Sequence, residues 1–261
     1  MRRALTILAL FLATLDVTAQ GTTIRVVTYN IHHGAGTDGR VDLNRVAGVL
    51  GGADVIGLQE VDVHNARSGF ADEAKAIGDR LGMRYRVFGQ TRSWFWFMRY
   101  GNAIVSRYPI VGSRNHALPR NPADSEPRKM LQADIRVGAE VIHVFVTHLS
   151  LRQSERALQT AEIMRIIGGT SGRCILMGDF NALPPAAEIA TVTRTMRDAW
   201  ALRGVGAGFS FSSWNPQRRI DYILVPASGV TLDSVRVRPT RQRDGSHPSD
   251  HLPVEAVLRI P

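Results

Sequence analysis

Ile24 to Glu60 runs IRVVTYN IHHGAGTDGRV DLNRVAGVL GGA DVIGLQE. IRVVTYN (Ile24–Asn30) is a short apolar, β-branched run, the pattern of a buried strand. Asp42 can then cap a helix whose apolar residues Leu43, Val46, Val49 and Leu50 recur at helical spacing, and Gly51-Gly52 ends it. DVIGLQE (Asp54–Glu60) reads as a second strand. Strand, helix and strand in so short a span predict an α/β chain.

The same grammar continues outward. A helix is expected across Ala71–Leu81, stopped by Gly82, and strands at Tyr85–Gln90, Asn102–Ser106, Ile110–Ala117, Met130–Val137 and Val141–Leu149. A longer helix follows at Ser154–Ile167, then a strand at Cys174–Phe180 and a helical piece after Pro185. Strands near Ile220–Val225, Val230–Val237 and Pro253–Ile260 complete the reading. Several strands follow one another as hairpins, and too few crossover helices remain for a simple doubly wound sheet. Two mixed sheets packed face to face, with helices outside and no internal repeat, are therefore expected in one domain.

Length and composition agree. The chain has 261 residues, 44% of them apolar and 21% charged, enough for a sizeable core and unlike a disordered, collagenous or disulfide-stapled chain. The formal net charge is +9, but all the basic residues except Lys75 and Lys129 are arginine. These arginines are scattered rather than blocked, so the charge is a poor guide to a partner. Arg2-Arg3, the apolar run Ala4–Leu15 and Val17-Thr18-Ala19 have the form of an export signal over residues 1–19. The run is shorter than the ~20 residues that cross a bilayer. Export to a periplasmic or extracellular space is the expectation. The lone Cys174 forms no intrachain disulfide there and reads as an inert core residue.

The polar residues of interest sit at strand ends. Asn30 ends the first strand, Glu60 the second, and His148 closes Val141–Leu149. Asp179 and Asn181 follow in GDFNA, Asp221 opens IDYILV, and Asp250-His251 stand before the last strand. Groups at strand ends project into a common crevice, which is where α/β sheets bind ligands. Their oxygens are hard ligands suited to Mg²⁺ or Mn²⁺, ions that meet phosphate oxygens directly. Two histidines and a further carboxylate supply a base and charge stabilisation for attack at phosphorus. There is no G-x-S-x-G nucleophile, so direct attack by water is the economical reading.

The strings TYNIHHG (from Thr28), LQEVD (Leu58–Asp62), YGNAIVSR (Tyr100–Arg107), VTHL (Val146–Leu149), GDFNA (Gly178–Ala182), RIDYILV (Arg219–Val225) and SDHLPV (Ser249–Val254) resemble the endonuclease/exonuclease/phosphatase superfamily. That superfamily includes deoxyribonuclease-I-like nucleases, neutral sphingomyelinases and inositol-polyphosphate 5-phosphatases. The motifs keep its order and span Ile24 to Ile260, so residues 22–261 are expected to form one such domain. The resemblance implies a four-layer α/β/β/α sandwich with its site at one rim of the two sheets. It implies Glu60 as principal metal ligand with Asn30 beside it, and Asp179 to orient or deprotonate water. Asn181 would contact phosphoryl oxygens. His251 would bind the scissile phosphate or act as base, held by Asp250, while His148 would be a second phosphate contact tuned by Asp221. Arg128, in EPRKML, and Asn102, in YGNAIVSR, are the implied substrate-binding residues. The implied enzyme is a Mg²⁺- or Mn²⁺-dependent phosphoester hydrolase.

Substrate cues are fewer. Trp94-Phe95-Trp96-Phe97 has Arg92, Ser93 and Arg99 as neighbours. It reads either as a buried strand or as a rim that stacks a base or sugar, or touches lipid. His32, His33 and His247 lie near the same motifs and read as exposed loop histidines, with a place in the pocket lining as the alternative. YGNAIVSR and the brevity of the chain look most like small bacterial phosphodiesterase-type members, some related to sphingomyelinases and to glycosylphosphatidylinositol lipid processing. A phospholipid headgroup or sugar phosphate is therefore the expected substrate. A secreted DNA endonuclease and a catalytically silent binding module are the alternatives. A binuclear zinc-type phosphoesterase would need a Gly-His-x-His pair, which is missing. No stable protein partner is implied, and a monomer is expected.

Overall fold

The structure is a computed structural model and describes residues 21–121 and 125–261. The export signal read over residues 1–19 lies outside the described residues. Strands β1 (Thr22–Asn30), β2 (Val55–Val63), β3 (Tyr85–Trp94) and β4 (Met98–Ser106) form one sheet. β5 (Ile110–Ala117), β6 (Lys129–Val137), β7 (Glu140–His148), β8 (Arg173–Asp179), β9 (Met196–Asp198) and β10 (Asp221–Pro226) form a second. The last strands, β11 (Thr231–Val237) and β12 (Val254–Ile260), return to the first sheet. Its order is β11-β12-β1-β2-β4-β3, and the second runs β5-β6-β7-β8-β10-β9. β1–β2 and β7–β8 are parallel pairs and the others antiparallel, so both sheets are mixed, as expected.

Three apolar layers hold the sandwich together. Alternation along each strand sends Ile24, Val26, Val55 and Ile104 inward from the first sheet, against Leu131, Val144, Val146 and Met177 of the second. The opposite face of the first sheet, with Val27, Tyr29, Ile56 and Leu58, packs on α1 (Leu43–Leu50) and α2 (Glu73–Leu81). The outer face of the second, with Phe145, Leu176 and Leu224, packs on α3 (Gln153–Gly168) and α4 (Ala187–Thr193). This is the α/β/β/α arrangement. Asp42 caps α1, accepting from the backbone N–H groups of Asn44 and Arg45.

Local geometry departs from the expectations at three places. β2 does not stop at Glu60: it continues to Val63 through a bulge, with the register against β4 shifting between Leu58 and Val61. Trp94–Phe97 is not a buried strand, since Phe95–Phe97 form the turn between β3 and β4. The short elements β9 and α5 (Ala199–Arg203) carry too few residues for a periodic signal. Among the described residues no helix is long and apolar enough to cross a membrane. Cys174 is buried, and burial pushes its thiol up to about 11.

Candidate active site

Strand direction brings the polar ends to one rim. β1 and β2 are parallel and bring Asn30, at the end of β1, and Glu60, at the bulge of β2, to that rim; β7 and β8 are parallel and end there with His148 and Asp179. β10 runs the other way, so its first residue, Asp221, lies opposite Asp179. β12 starts beside the end of β1, which carries Asp250 and His251 to the same rim. The register sets His148, Asp179 and Asp221 side by side across three strands. Gly178 makes this row possible, because a Cβ there would collide with the carbonyl of Thr147 on the neighbouring strand.

Asp179 Oδ2 is the node of the site. It accepts from Asn30 Nδ2 at 3.2 Å, and lies 3.4 Å from His148 Nε2 and 3.6 Å from His251 Nε2. The same Asn30 nitrogen donates to Glu60 Oε1 at 2.8 Å, tying the two sheets together across the site. Asp179 Oδ1 accepts from the backbone N–H of Asn181 at 2.9 Å. Burial pushes the Asp179 carboxyl above its ordinary range, while His251 pulls it down. Burial disfavours charge on His251, but the carboxylates of Asp221 and Asp179 outweigh it and hold the imidazole protonated. His148 is driven the other way, by burial and then by Arg128 and His251, and is neutral. One buried histidine is thus charged and its neighbour is not.

All of the sequence-read strand-end residues reach this rim, but two pairings are corrected. His251 is held by Asp221, whose Oδ2 accepts from Nδ1 at 2.9 Å, and not by Asp250. His148 faces Asp179 rather than being tuned by Asp221. The reason is register: Asp221 opens β10 directly across from Asp179, with its oxygen on the far side of the His251 ring. Asp250 instead lines a cavity of about 580 Å³ with His32, Thr37 and Trp214. One amide N–H of Asn181 is spent on the carbonyl of Leu149, so this residue braces the Asp179 turn. Asn102 donates to the carbonyl of Lys129, joining β4 to the start of β6. Arg128 is a buried arginine whose Nε has no partner among the described residues and whose Nη2 donates to Glu126.

The loop histidines also differ from expectation. His32 and His33 are half-buried, and their ring nitrogens group with the Glu60 carboxylate. Burial lowers His33 to about 4. His247 is buried away from that group and shares a hydrogen bond with Thr240. Two residues of the site were not among those expected. Ser210 Oγ donates to Asp221 Oδ2 at 2.6 Å, and Ser249 Oγ donates to the carbonyl of Asn30 at 2.7 Å. Ser249 could have been found inside SDHLPV; Ser210 sits in a loop with no pattern.

The donor set fits a divalent cation. Glu60 presents a hard carboxylate at a partly open position with the imidazoles of His32 and His33 close by, while Asn30 beside it turns its Nδ2 to Glu60 and its Oδ1 accepts from the backbone N–H of His32. Glu60 holds its place at φ +58°, and Asn181 at +49°, left-handed values that non-glycine residues adopt at a cost. Within the buried group Asp179, Asp221 and His251, Asp221 Oδ2 accepts from His251 Nδ1, and Asp221 Oδ1 has no partner among the described residues. The arrangement can therefore combine a cation at one wall with a buried carboxylate and two imidazoles at the other.

Comparison with known proteins follows the same lines. The model of the endonuclease/exonuclease/phosphatase family matches residues 27–251. Over 130 residues the chain is 32% identical to protein cwh43 of Schizosaccharomyces pombe, covering 48% of this chain and 12% of that one. Over 167 residues it is 30% identical to the uncharacterized protein YbhP of Escherichia coli, covering 62% of this chain and 63% of YbhP. The chain thus spans less than two thirds of either relative. An endonuclease/exonuclease/phosphatase from Beutenbergia cavernae superposes with a TM-score of 0.77 at 24% identity, over 91% of this chain and 72% of that one. A mannosyl-6-phosphatase from Bacteroides thetaiotaomicron gives 0.71 at 19% identity, over 90% and 99%.

Proposed function

Because the chain belongs to the endonuclease/exonuclease/phosphatase family, we propose that it is a divalent-metal-dependent phosphodiesterase that cleaves a phosphoester by direct attack of water. The observation that carries this reading is the node at Asp179 Oδ2, with Asn30, His148 and His251 around one buried oxygen. Asp179 would align a water molecule and take its proton. The imidazolium of His251, braced by Asp221 and Ser210, faces the charge that grows on the phosphoryl oxygens. Neutral His148 offers a hydrogen bond rather than a charge, with the buried cation of Arg128 near it. Glu60 and Asn30 would hold Mg²⁺ or Mn²⁺, which supplies charge neutralisation and lowers the pKa of water.

The proposed substrate is a phospholipid headgroup or a sugar phosphate. A mannosyl-6-phosphatase shares the fold, and Phe95 and Trp96 stand exposed at the turn between β3 and β4. Cleavage of DNA is the second reading, favoured by the net charge of +9. We further propose export, from the leader pattern over residues 1–19, with residues 22–261 as the catalytic domain. N-terminal sequencing of the chain recovered outside the cytoplasm should begin after Ala19.

The test uses the purified chain with bis-p-nitrophenyl phosphate, phospholipid vesicles and plasmid DNA, each with Mg²⁺, Mn²⁺ or EDTA. Turnover is expected with either metal and lost in EDTA. Glu60→Gln should raise the metal midpoint by at least about tenfold. His251→Ala should lower kcat on the order of 10²-fold with little change in that midpoint. Plasmid nicking lost in EDTA and in His251→Ala, without lipid cleavage, would favour the nuclease. Turnover indifferent to EDTA would overturn the metal assignment.

A further inference from the structure

β3 and β4 pair from Tyr85–Ser106 out to Trp94–Met98, and the turn Phe95-Trp96-Phe97 closes them. Val63 pairs with Arg99, so this hairpin extends beyond the end of β2 that carries Glu60. With ~3.3 Å per strand residue, its tip stands roughly 15 Å past the bulge. Trp96 is 90% exposed and Phe95 77%. The rings are ordered against one another: Phe95 stacks on Phe97 at 6.3 Å, Trp96 meets Phe97 edge-on at 5.3 Å, and Trp94 meets Tyr100 at 6.4 Å. Arg92 lies 4.8 Å over the Trp94 ring. Beside the hairpin, Arg92 and Arg120 line a cleft of about 410 Å³ whose wall also includes Glu126.

Contiguous exposed aromatic surface at a protruding tip marks an interaction site. A three-residue turn is far smaller than the ~800 Å² per partner of a stable protein interface. A bilayer surface requires no complementary shape. It accepts Trp and Phe at the headgroup level and attracts arginine to its phosphates. Loops leaving the same rim add exposed apolar side chains: Phe70 after β2, Leu151 after β7 and Trp214 before β10.

We propose that the Trp94–Phe97 tip inserts into a bilayer surface bearing anionic headgroups, with Arg92 and Arg99 against the lipid phosphates. Docking in this way sets the rim of Glu60, Asp179 and His251 toward the membrane. Docking stands without catalysis; that the cleaved phosphoester belongs to a membrane lipid rests on the hydrolase reading.

The experiment is co-sedimentation of the full chain with phosphatidylcholine vesicles, with and without phosphatidylglycerol. The apolar run Ala4–Leu15 is common to every variant, so the tip is read from differences between variants. Phe95→Ser/Trp96→Ser should weaken partition at least about tenfold, since about 1.4 kcal/mol of lost ring burial is enough. Arg92→Gln/Arg99→Gln should weaken it only on the anionic vesicles. Quenching of tryptophan fluorescence by brominated lipid should fall in Trp96→Phe while partition persists. Hydrolysis of bis-p-nitrophenyl phosphate should be unchanged in the tip variants, which also shows that they fold. Equal partition of the wild type and Phe95→Ser/Trp96→Ser on both vesicles would overturn the proposal. So would loss of single-stranded oligonucleotide binding in that variant with lipid partition intact. If partition falls as expected but no variant or wild type hydrolyses any phosphoester, docking is upheld and the hydrolase reading fails.

Discussion

Asp221 Oδ2 accepts from Ser210 Oγ at 2.6 Å and from His251 Nδ1 at 2.9 Å, which fixes the tilt of the imidazolium ring. Phe211 packs on the same ring at 4.8 Å, so His251 is held from two directions. Asp250 precedes it in the chain, yet contributes only longer-range charge. Asp221→Asn should therefore cost on the order of 10²-fold in kcat toward bis-p-nitrophenyl phosphate, with KM little changed. Asp250→Asn should cost far less in kcat and act on KM through the cavity it lines. Equal kcat losses in the two variants would contradict this division.

At the scale of the element, the bulge in β2 and the start of α2 form one unit. Glu73, in the first turn of α2, is buried, and its Oε2 accepts from the backbone N–H of Asp62 at 2.7 Å. That bond pins the strand immediately after the Glu60 bulge. Burial raises the Glu73 carboxyl to about 8. An unfolded chain releases this proton near pH 4.5, whereas the folded chain keeps it until about pH 8. The stability it confers is complete below the unfolded value and is lost as pH rises from there through about 8. Glu73→Gln keeps an accepting oxygen and removes the titration, so its Tm should fall less than that of the wild type between pH 5 and pH 8. Parallel Tm profiles would show that Glu73 is ionised in the fold.

At the scale of the whole molecule, the site exists only because two sheets face each other in one register. Asn30 and Glu60 come from the first sheet, His148, Asp179 and Asp221 from the second. At Gly57 the layers approach closely: a Cβ there would meet Val146 Cγ2 at 2.6 Å and Met177 Cε at 3.0 Å. Gly57→Val should force the sheets apart, costing about 1–3 kcal/mol in stability. It should also lower turnover although it touches no site residue, because the Asn30 to Asp179 bond at 3.2 Å spans the interface. Urea unfolding and kcat measured on the same variant check this. Full activity in a destabilised variant would mean that the site tolerates a shift between the layers.

Most of the architecture was legible in the chain itself. Strand and helix periodicities are local, and so Leu43–Leu50, Ile110–Ala117 and the strand ends at Asn30, His148 and Asp179 could be read directly. The set of polar residues at the rim was legible for the same reason, since strand ends are a property of sequence. Their partners were not. That Asp221 rather than Asp250 holds His251 depends on β10 lying against β8 in one register. That Arg128 is buried, and Trp96 exposed, depends on which loop another layer covers. Periodicity specifies which face of a strand is apolar; only the packing of one sheet on the other decides what each polar side chain meets.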